Sequence, residues 1–427
     1  GVMRGKYINV KKFTSALENG FGFCDVVFGW DVVDELYDKP TVTGWHTGYP
    51  DAPAKIDLNS LREIPWEPGT ALFIADFEYP DGKPYSACPR QLCNTMLQKA
   101  DDMGYNVKSA FEYEFFLFDE TPHTIREKNY QNLTPFTPGM FGYSVLRNSV
   151  HSELYHDFID TCREMDIELE GIHTETGPGV LEACISVDTG LAPSDKAALF
   201  KTFAKVLAQR WDLMATFMAK WSPDFPGQSG HLHQSLWNKD GSSAFYDKKA
   251  KNHMSDTFCH YLAGQIKLLP EVLTMIAPTI NSYTRMIKGF WAPTHSNWGM
   301  DNRTCAIRVI PGSEKNHRLE YRIAAADGQV GGYRSVDAQP RLPRHQHHLH
   351  QPGIQPAEGR VRSFKDLPGG VDSDDQGRRI QSVRSVRLKG GSAAKEGHFK
   401  AASGSDRASQ EKTAGALQGC HGRCAGM

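Results

Sequence analysis

The stretch SAFEYEFFLF, residues 109–118, carries two glutamates within a run of apolar and aromatic residues. Because side chains alternate along a β-strand, Glu112 and Glu114 would lie on one face and the aromatic residues between and beside them on the other. Neighbouring carboxylates next to bulky apolar groups repel each other unless water or a cation screens them. The stretch therefore predicts either a half-exposed strand with its acids in solvent or one wall of a cation site.

Helical and strand patterns alternate around this stretch. Residues 194–218 and 253–280 have apolar residues at helical spacing, and runs such as HLHQSLW and CAIRVI are typical of strands. This alternation predicts an α+β or α/β catalytic domain over residues 87–327. Residues 1–86 are rich in Gly, Pro, Asp and aromatic residues, which predicts a small sheet with long loops.

The last hundred residues differ in character from the rest. All eight tryptophans precede residue 300, and residues 328–427 are rich in Gly, Ser, Arg, Gln and His without a helix or strand period. Such a composition cannot bury enough apolar surface to offset the entropy lost on ordering. We expect residues 328–427 to be a low-complexity, disordered tail.

Composition and charge exclude several classes of protein. The chain is 40% hydrophobic and 23% charged, with a net charge of −2, so nothing points to a nucleic-acid or membrane partner. No stretch approaches the roughly 18 apolar residues of a membrane span. The nine cysteines form neither a zinc motif nor a disulfide framework. These features predict a cytoplasmic protein with reduced thiols.

Two further segments offer groups that bind metals. HTETGPGVLE places Glu175 and Glu182 on either side of a Gly-Pro-Gly turn, which could bring both acids to one centre. GHLHQSLW places His231 and His233 on one face of a predicted strand. Taken singly, each pattern is more often structural, since acids commonly flank surface turns and paired histidines are usually satisfied within the fold.

Arginines cluster near the end of the patterned region. RLEYR places Arg318, Glu320 and Arg322 on one strand face, as either a surface ladder of ion pairs or part of a site. The preceding segment carries three more arginines, Arg285, Arg303 and Arg308. Arginine suits bidentate binding of carboxylate and phosphate. The alternative is that these arginines are solvated or paired structurally.

In this order, FEYEFFLF, HTETGPGVLE, GHLHQS, NSYTR…APT…NRT…IR and RLEYR resemble the signature of the glutamine synthetase superfamily. RGKYI and IPWEPGTALFIADF resemble the end of that family's small N-terminal β-grasp domain. The resemblance covers residues 4 to about 327. It implies an α+β fold: a truncated β-grasp domain and a catalytic domain whose antiparallel sheet forms a funnel backed by helices.

The resemblance also implies a homo-oligomer of stacked rings, in which the small domain completes the neighbouring subunit's site. Asp25 or Asp31 would then lie near the amine. The chain departs from the family pattern at Gly328, so we expect the last part of the family's catalytic domain to be missing.

Two divalent metal ions, Mg²⁺ or Mn²⁺, are implied by the resemblance, each with three protein ligands. The residues that match the first set are Glu114, Glu175 and Glu182. Those that match the second set are Glu112, His231 and Glu320. The donor types agree independently, because carboxylates with a single imidazole form a hard site suited to Mg²⁺ or Mn²⁺ and not to zinc.

The implied reaction is an ATP-dependent ligation of glutamate through γ-glutamyl phosphate. Arg285 matches the residue that holds the α-carboxylate of glutamate, and Arg322 matches the one near its γ-carboxylate. Arg303 and Arg308 match the pair that clamps phosphate. The remaining matches are His233 and Ser235 for ATP and Gly227 for a backbone contact to glutamate.

One departure concerns the second substrate. Relatives that use ammonia carry a glutamate six residues after the arginine of the NSYxR segment, and here that position is Trp291. Tryptophan cannot act as a base, but its ring face stabilises an alkylammonium ion. The sequence therefore predicts an organic amine as acceptor and a γ-glutamylamide as product. The alternatives are ammonia, or a catalytically silent truncated relative with an assembly role.

Overall fold

The computed structural model describes residues 3–327, so the predictions for 328–427 lie outside the described residues. Its helices are α1 (Val10–Asn19), α2 (Pro89–Asp102), α3 (Pro122–Glu127), α4 (Val145–Val150), α5 (Ser152–Glu164), α6 (Ala192–Arg210), α7 (Asp256–Ile276) and α8 (Ile280–Thr284). Its strands are β1 (Phe21–Cys24), β2 (Asp51–Glu63), β3 (Ala71–Phe77), β4 (Tyr105–Phe118), β5 (Leu169–Thr174), β6 (Val180–Ile185), β7 (Asp188–Thr189), β8 (Met214–Thr216), β9 (Gly230–Asn238), β10 (Trp298–Met300), β11 (Ile307–Ile310) and β12 (Arg318–Tyr321).

The N-terminal part forms the small sheet that its composition predicts. Strands β1, β2 and β3 pair antiparallel in that order. Its identification as a β-grasp domain, and the boundary at residue 86, stay predictions. Asp25 is buried and accepts hydrogen bonds from Thr43 (2.7 Å) and Tyr85 (3.0 Å). Its predicted position near the amine of a neighbouring subunit stays a prediction. Asp31 accepts from the backbone of its own loop, at Val33 N (2.9 Å).

The main sheet has nine strands and is antiparallel except at one edge. Its order is β10-β11-β12-β9-β4-β6-β5, with the short strands β7 and β8 also pairing with β4. Only the edge strands β10 and β11 run parallel. A large sheet with helices confirms the α+β prediction. Within residues 3–327 no helix is both long and apolar enough to cross a membrane.

Strand β4 occupies the centre of this sheet because one of its faces is aromatic. Phe111, Tyr113 and Phe115 are buried in the main core. The Phe115 ring lies 5.9 Å from that of Phe158 on α5, and the Tyr113 ring lies 6.2 Å from that of Phe200 on α6. Each buried aromatic side chain removes roughly 150–250 Å² from water. Helices α5 and α6 therefore cover the aromatic face of β4. The opposite face, which carries the glutamates, is not covered by these two helices and is available for a binding site.

The two long helices are shorter than their apolar patterns predict. Helix α6 ends at Arg210, whereas the pattern extends to residue 218. Asp212 adopts a left-handed conformation (φ 54°) that breaks the helix, and the apolar residues that follow form β8, which pairs with the end of β4. Helix α7 covers most of 253–280, begins after the N-cap Ser255 and ends at Ile276.

A buried arginine joins the small sheet to the catalytic part of the chain. Arg90, on α2, forms ion pairs with Asp57 on β2 (2.5 Å), with Asp76 on β3, and with Asp195 on α6 (2.8 Å). The side chain of Arg90 is only 7% exposed. Removing one partner of a buried ion pair leaves the charge of the remaining partner without compensation where little water can solvate it. The orientation of the small sheet on α6 therefore depends on this guanidinium.

Replacing Arg90 by leucine should destabilise the protein strongly. The expected loss is about 3–5 kcal/mol of unfolding free energy, because three aspartates would lose their common counter-charge. The measurement is urea denaturation followed by tryptophan fluorescence. The matched control is Arg163→Leu, which removes an exposed arginine paired with Asp160 on α5. Similar losses in both variants would show that Arg90 is no more important than a surface ion pair.

Candidate active site

The register of three neighbouring strands brings the predicted metal ligands together. On one side of β4, Glu112 lies opposite His231 of β9. On the other side, Glu114 lies opposite Glu182 of β6. Potential ligand atoms of Glu112, Glu182 and His231 all lie within 4.8 Å of one another. The predicted ligands thus share one face of the sheet, and their function as ligands stays a prediction.

Strand β12 adds Glu320 to the same face. His231 Nδ1 lies 3.3 Å from Glu112 Oε2 and 3.6 Å from Glu320 Oε1, which groups the three residues of the predicted second metal set. His233 Nε2 lies 3.0 Å from Glu112 Oε1. Glu112, His233 and Glu320 also have ligand atoms within 4.8 Å of one another. His233, predicted to bind ATP, therefore lies against the carboxylate cluster.

The two remaining predicted ligands are held by hydrogen bonds beside Glu182. Glu114 accepts from Ser229 N at 2.7 Å, and Glu175 accepts from Thr176 N at 2.6 Å. Burial, followed by the charges of Glu114, Glu112 and Glu175, raises the pKa of Glu182 well above its ordinary value. Burial also acts to raise the pKa of Glu112. The hydrogen bonds and charges of His231 and His233 have the larger combined effect and hold the pKa of Glu112 below its usual range.

This arrangement fits a divalent cation on its own chemistry. Carboxylates within a few ångströms of one another are unstable together without positive charge. His231 Nε2 is buried and has no hydrogen-bond partner within residues 3–327, so its lone pair is open to a metal. A set of carboxylate oxygens with one or two imidazoles suits Mg²⁺ or Mn²⁺.

Arginines supply part of the counter-charge at the rim. Arg308 Nη1 donates to Glu320 Oε2 at 3.0 Å, and Arg322 pairs with the other oxygen of this carboxylate. Arg308 also donates to Asp301 Oδ1 through Nε at 2.9 Å. Arg303 is exposed, and its carbonyl accepts from Arg322 Nε at 3.1 Å. Arg308 and Arg322 therefore lie beside Glu320, a predicted metal ligand. Within residues 3–327, the Arg303 side chain makes no hydrogen bond or ion pair with the cluster.

Arg285 is the most deeply buried of these arginines. It is 1% exposed and donates to Ser229 Oγ at 2.6 Å, to Ile323 O at 3.0 Å and to Arg322 O at 3.1 Å. Burial lowers the pKa of Arg285 to about 10, although the nearby Glu114 acts in the opposite direction. The guanidinium is charged at neutral pH and is held against the cluster by neutral acceptors.

Gly227 lies against the stem of Arg285. A Cβ atom at this position would lie 2.4 Å from Ala219 O and 2.7 Å from Arg285 Cγ, so no side chain fits. The sequence predicts a backbone contact between Gly227 and glutamate, which no contact in the structure tests. The structure adds a second reason for glycine here, namely the close approach of Arg285.

Two predicted residues lie apart from the cluster. Ser235 accepts a hydrogen bond from Trp237 Nε1 at 2.9 Å, further along β9. Trp291 is 61% exposed, has a left-handed backbone (φ 60°), and makes no hydrogen bond or ring contact within residues 3–327. The structure does not bring either residue into contact with the predicted metal ligands.

Sequence reasoning missed two residues of this face, His173 and Cys184. Their ligand atoms and those of Glu182 lie within 4.8 Å of one another. The missed signal is the two-residue strand period: His173 precedes Glu175 by two residues, and Cys184 follows Glu182 by two. Asp301, the partner of Arg308, follows a three-residue strand that has no recognisable pattern of its own.

Comparison with known proteins agrees with this geometry. A sequence model described as "Glutamine synthetase, catalytic domain" matches residues 86–330. Type-1 glutamine synthetase 2 of Dictyostelium discoideum is 45% identical over 339 residues, which cover 79% of this chain and 64% of that protein. Glutamate–isopropylamine ligase of a Pseudomonas species is 35% identical, over 77% of this chain and 72% of that protein.

A solved structure, described as a novel glutamine synthase homolog, has the same fold. It superposes with a TM-score of 0.66 at 24% identity and covers 78% of each chain. The chain thus spans 64% of the length of the Dictyostelium protein and 78% of that solved structure.

Adding Mn²⁺ should raise the midpoint of urea unfolding. At a hundred times the dissociation constant the expected gain is about 2.7 kcal/mol. The Glu182→Gln variant should lose most of this Mn²⁺-dependent gain. In the absence of metal, the variant should have a higher unfolding free energy than wild type. The reason is that burial and neighbouring glutamates raise the pKa of Glu182 in the folded state. At a pH above the ordinary pKa of a glutamate, the unfolded chain ionises this group more readily than the folded chain, which lowers the unfolding free energy; glutamine removes this effect. Glu164→Gln, an exposed change on α5, is the control and should respond to Mn²⁺ as wild type does. An unchanged Mn²⁺ response in Glu182→Gln would contradict this assignment.

Gly227→Ala should destabilise the protein by about 1–3 kcal/mol, the usual cost of overpacking. The same substitution at Gly264, within α7, is the control, because a Cβ there meets no atom within 4 Å. Gly264→Ala should stabilise by up to about 1 kcal/mol through helix propensity. Thermal unfolding of both variants measures the difference, and equal midpoints would show that the contact with Arg285 is not tight.

Proposed function

The chain belongs to the glutamine synthetase family, and from that premise we propose that it joins the γ-carboxylate of glutamate to an amine at the expense of ATP. The observation that carries the proposal is the convergence of Glu112, Glu182, His231 and Glu320 on one sheet face. Arg308 and Arg322 lie beside them. Charged groups of both signs are costly to bury singly, and their grouping suits a site that binds cations and anionic substrates.

The proposed reaction has two steps. A γ-carboxylate oxygen of glutamate attacks the γ-phosphorus of ATP, the bond to ADP breaks, and γ-glutamyl phosphate forms. The amine nitrogen then attacks the acyl carbon, the bond to phosphate breaks, and the nitrogen gives up a proton. Phosphoryl transfer of this kind depends on positioning and on neutralising the charge of the phosphate oxygens.

The acidic residues would hold two divalent metal ions. Glu112, His231 and Glu320 would bind one, and Glu114, Glu175 and Glu182 the other. When bound, Mg²⁺ or Mn²⁺ would neutralise phosphate oxygens and orient them. His231 Nδ1 lies 3.3 Å from Glu112 Oε2 and 3.6 Å from Glu320 Oε1, so the three residues of this set are already grouped.

The arginines would bind the charged parts of the substrates. Arg285 is assigned to the α-carboxylate of glutamate and Arg322 to the region of its γ-carboxylate. Arg303 and Arg308 are assigned to phosphate, and His233 and Ser235 to the nucleotide. Burial strengthens the electrostatic effect of Arg285, because little water screens its charge. Arg308 is partly neutralised by Asp301 and Glu320, so less of its positive charge is available to phosphate in this arrangement.

We assign an organic amine as the acceptor. Trp291 stands where ammonia-using relatives carry a glutamate, and its exposed indole can lie over an alkylammonium ion. The similarity to a glutamate–isopropylamine ligase supports this choice. The similarity to a type-1 glutamine synthetase keeps ammonia as the second candidate. In either case we expect a cytoplasmic homo-oligomer of stacked rings.

The deciding measurement is phosphate release by the purified full chain with glutamate, ATP and Mg²⁺. Ammonium or one small alkylamine is added at a time. We expect release that requires glutamate and is highest with an alkylamine. Trp291→Glu should reduce the preference for that amine over ammonium by roughly fivefold, the equivalent of about 1 kcal/mol of cation–π attraction. Trp45→Glu, at an 80% exposed position of the small domain, is the matched control.

Three outcomes discriminate between the candidates. Equal release with ammonium and with every amine would remove the reason for the amine assignment. A preference unchanged by Trp291→Glu would show that Trp291 does not face the acceptor. No release with any acceptor, from protein shown to be folded and loaded with Mg²⁺, would identify a catalytically silent relative.

A further inference from the structure

A third group of potential metal ligands lies at the β5–β6 side of the cluster. His173 of β5 is in register with Glu182 of β6, and Cys184 follows Glu182 on the same strand face. Ligand atoms of these three residues lie within 4.8 Å of one another. Neither His173 nor Cys184 belongs to the two magnesium sets proposed above.

The His173 ring is already fixed as a metal-binding imidazole usually is. Its Nδ1 lies 3.2 Å from Thr174 O, which accepts the Nδ1 hydrogen and leaves the Nε2 lone pair for a metal. The Tyr143 ring stacks on it with 4.6 Å between centroids. A backbone carbonyl bound to the second ring nitrogen is the usual outer partner of a ligating histidine.

Cys184 is placed where a cation can reach it. It is half-buried, and the residue opposite it on β5 is Gly171, where a Cβ would meet no atom within 4 Å. Glu112 lies opposite Cys184 on β4, so the surroundings are rich in negative charge. Of the seven free cysteines within residues 3–327, Cys184 alone belongs to a group of three potential metal ligands.

The donor atoms distinguish this group from the two magnesium sets. One sulfur, one imidazole nitrogen and one carboxylate oxygen are the ligands that Zn²⁺ accepts, with a fourth position left for water. The magnesium sets offer only oxygen and nitrogen. Soft thiolate ligands favour zinc and similar transition metals over Mg²⁺.

We propose that His173, Glu182 and Cys184 form a further binding site, for Zn²⁺ or a similar thiophilic divalent cation, which shares Glu182 with one magnesium set. Binding occurs through the thiolate, so the thiol proton passes to solvent. Glu182 cannot serve this ion and the magnesium set equally, so zinc here withdraws a ligand from the metal site needed for ligation. The inhibitory effect rests on the proposed function, whereas the binding does not.

Cobalt spectroscopy tests the site without any need for activity. Co²⁺ replaces Zn²⁺ in such sites, and a thiolate ligand gives a near-ultraviolet charge-transfer band. We expect wild-type protein titrated with Co²⁺ to show this band, and Cys184→Ser to lose it. Cys259→Ser, which removes an exposed thiol on α7, should keep it. Cys184→Ala provides a second variant, and far-ultraviolet circular dichroism verifies that each variant is folded.

Inhibition is measured separately. Zn²⁺ is added to the phosphate-release assay at saturating Mg²⁺. Cys184→Ser should retain Mg²⁺-dependent release but need at least roughly 10–100 times more Zn²⁺ for half-inhibition, the loss seen on removing even an outer partner of a metal ligand. The Cys259→Ser variant should match wild type.

The outcomes separate the site from the activity. No charge-transfer band in folded wild type, or an equal band in the Cys184 variants, would overturn the proposed site. A band that depends on Cys184 together with equal zinc inhibition of both proteins would overturn the inhibitory effect alone. If wild type releases no phosphate, the proposed function fails, and the cobalt titration still decides whether the site exists.

Discussion

Mutual repulsion between carboxylates on one face of β4 and its neighbours is the constraint on which the rest of the structure depends. After burial, the nearby charges of Glu114, Glu112 and Glu175 raise the pKa of Glu182. Such a group persists only if something else holds the strands in place. The aromatic face of the same strand does this, since Phe115 and its neighbours pack tightly on α5 and α6. One strand thus supplies the stabilising core and the destabilised site, on opposite sides.

Positive charge is supplied to the site in two ways. Arg308 and Arg322 converge on Glu320, and the buried Arg285 lies near Glu114. These arginines compensate the acids, and they are the residues proposed to bind the carboxylate and phosphate groups of the substrates. The charge that they leave uncompensated is concentrated around Glu182, which favours divalent cations there. In the two proposals above, Glu182 would be shared between a hard set of ligands and one that contains a thiol.

The connection between the small sheet and the catalytic part of the chain also depends on the compensation of buried charges. Arg90 is buried because Asp57, Asp76 and Asp195 surround it from three different elements. A buried ion pair contributes little net stability, but it penalises any arrangement in which its partners separate. The guanidinium therefore fixes how the small sheet packs on α2 and α6, and through α6 it supports the core beneath the site.

Local pattern by itself determined a good part of this protein. The two-residue period of 109–118 separates acids from aromatics, and the same period aligns His231 with His233 and Glu320 with its arginine neighbours. These spacings are set by backbone geometry within one strand, so they can be read without knowing the partner strands. The order of such segments along the chain was enough to recognise the family.

Tertiary structure alone decided which strands meet and in what register. Glu112 and His231 are 119 residues apart, and neither segment's own pattern indicates that they lie opposite each other; only the family resemblance grouped them. The same holds for His233 beside Glu112, for the close approach of Gly227 to Arg285, and for Cys184 beside His173. Helix α6 ends at Arg210. The residues that would continue the helix form β8 instead, because β8 pairs with β4. Pairing between distant strands is fixed by the packing of whole faces and not by local propensity, so the sequence determined the faces and only the fold determined the site.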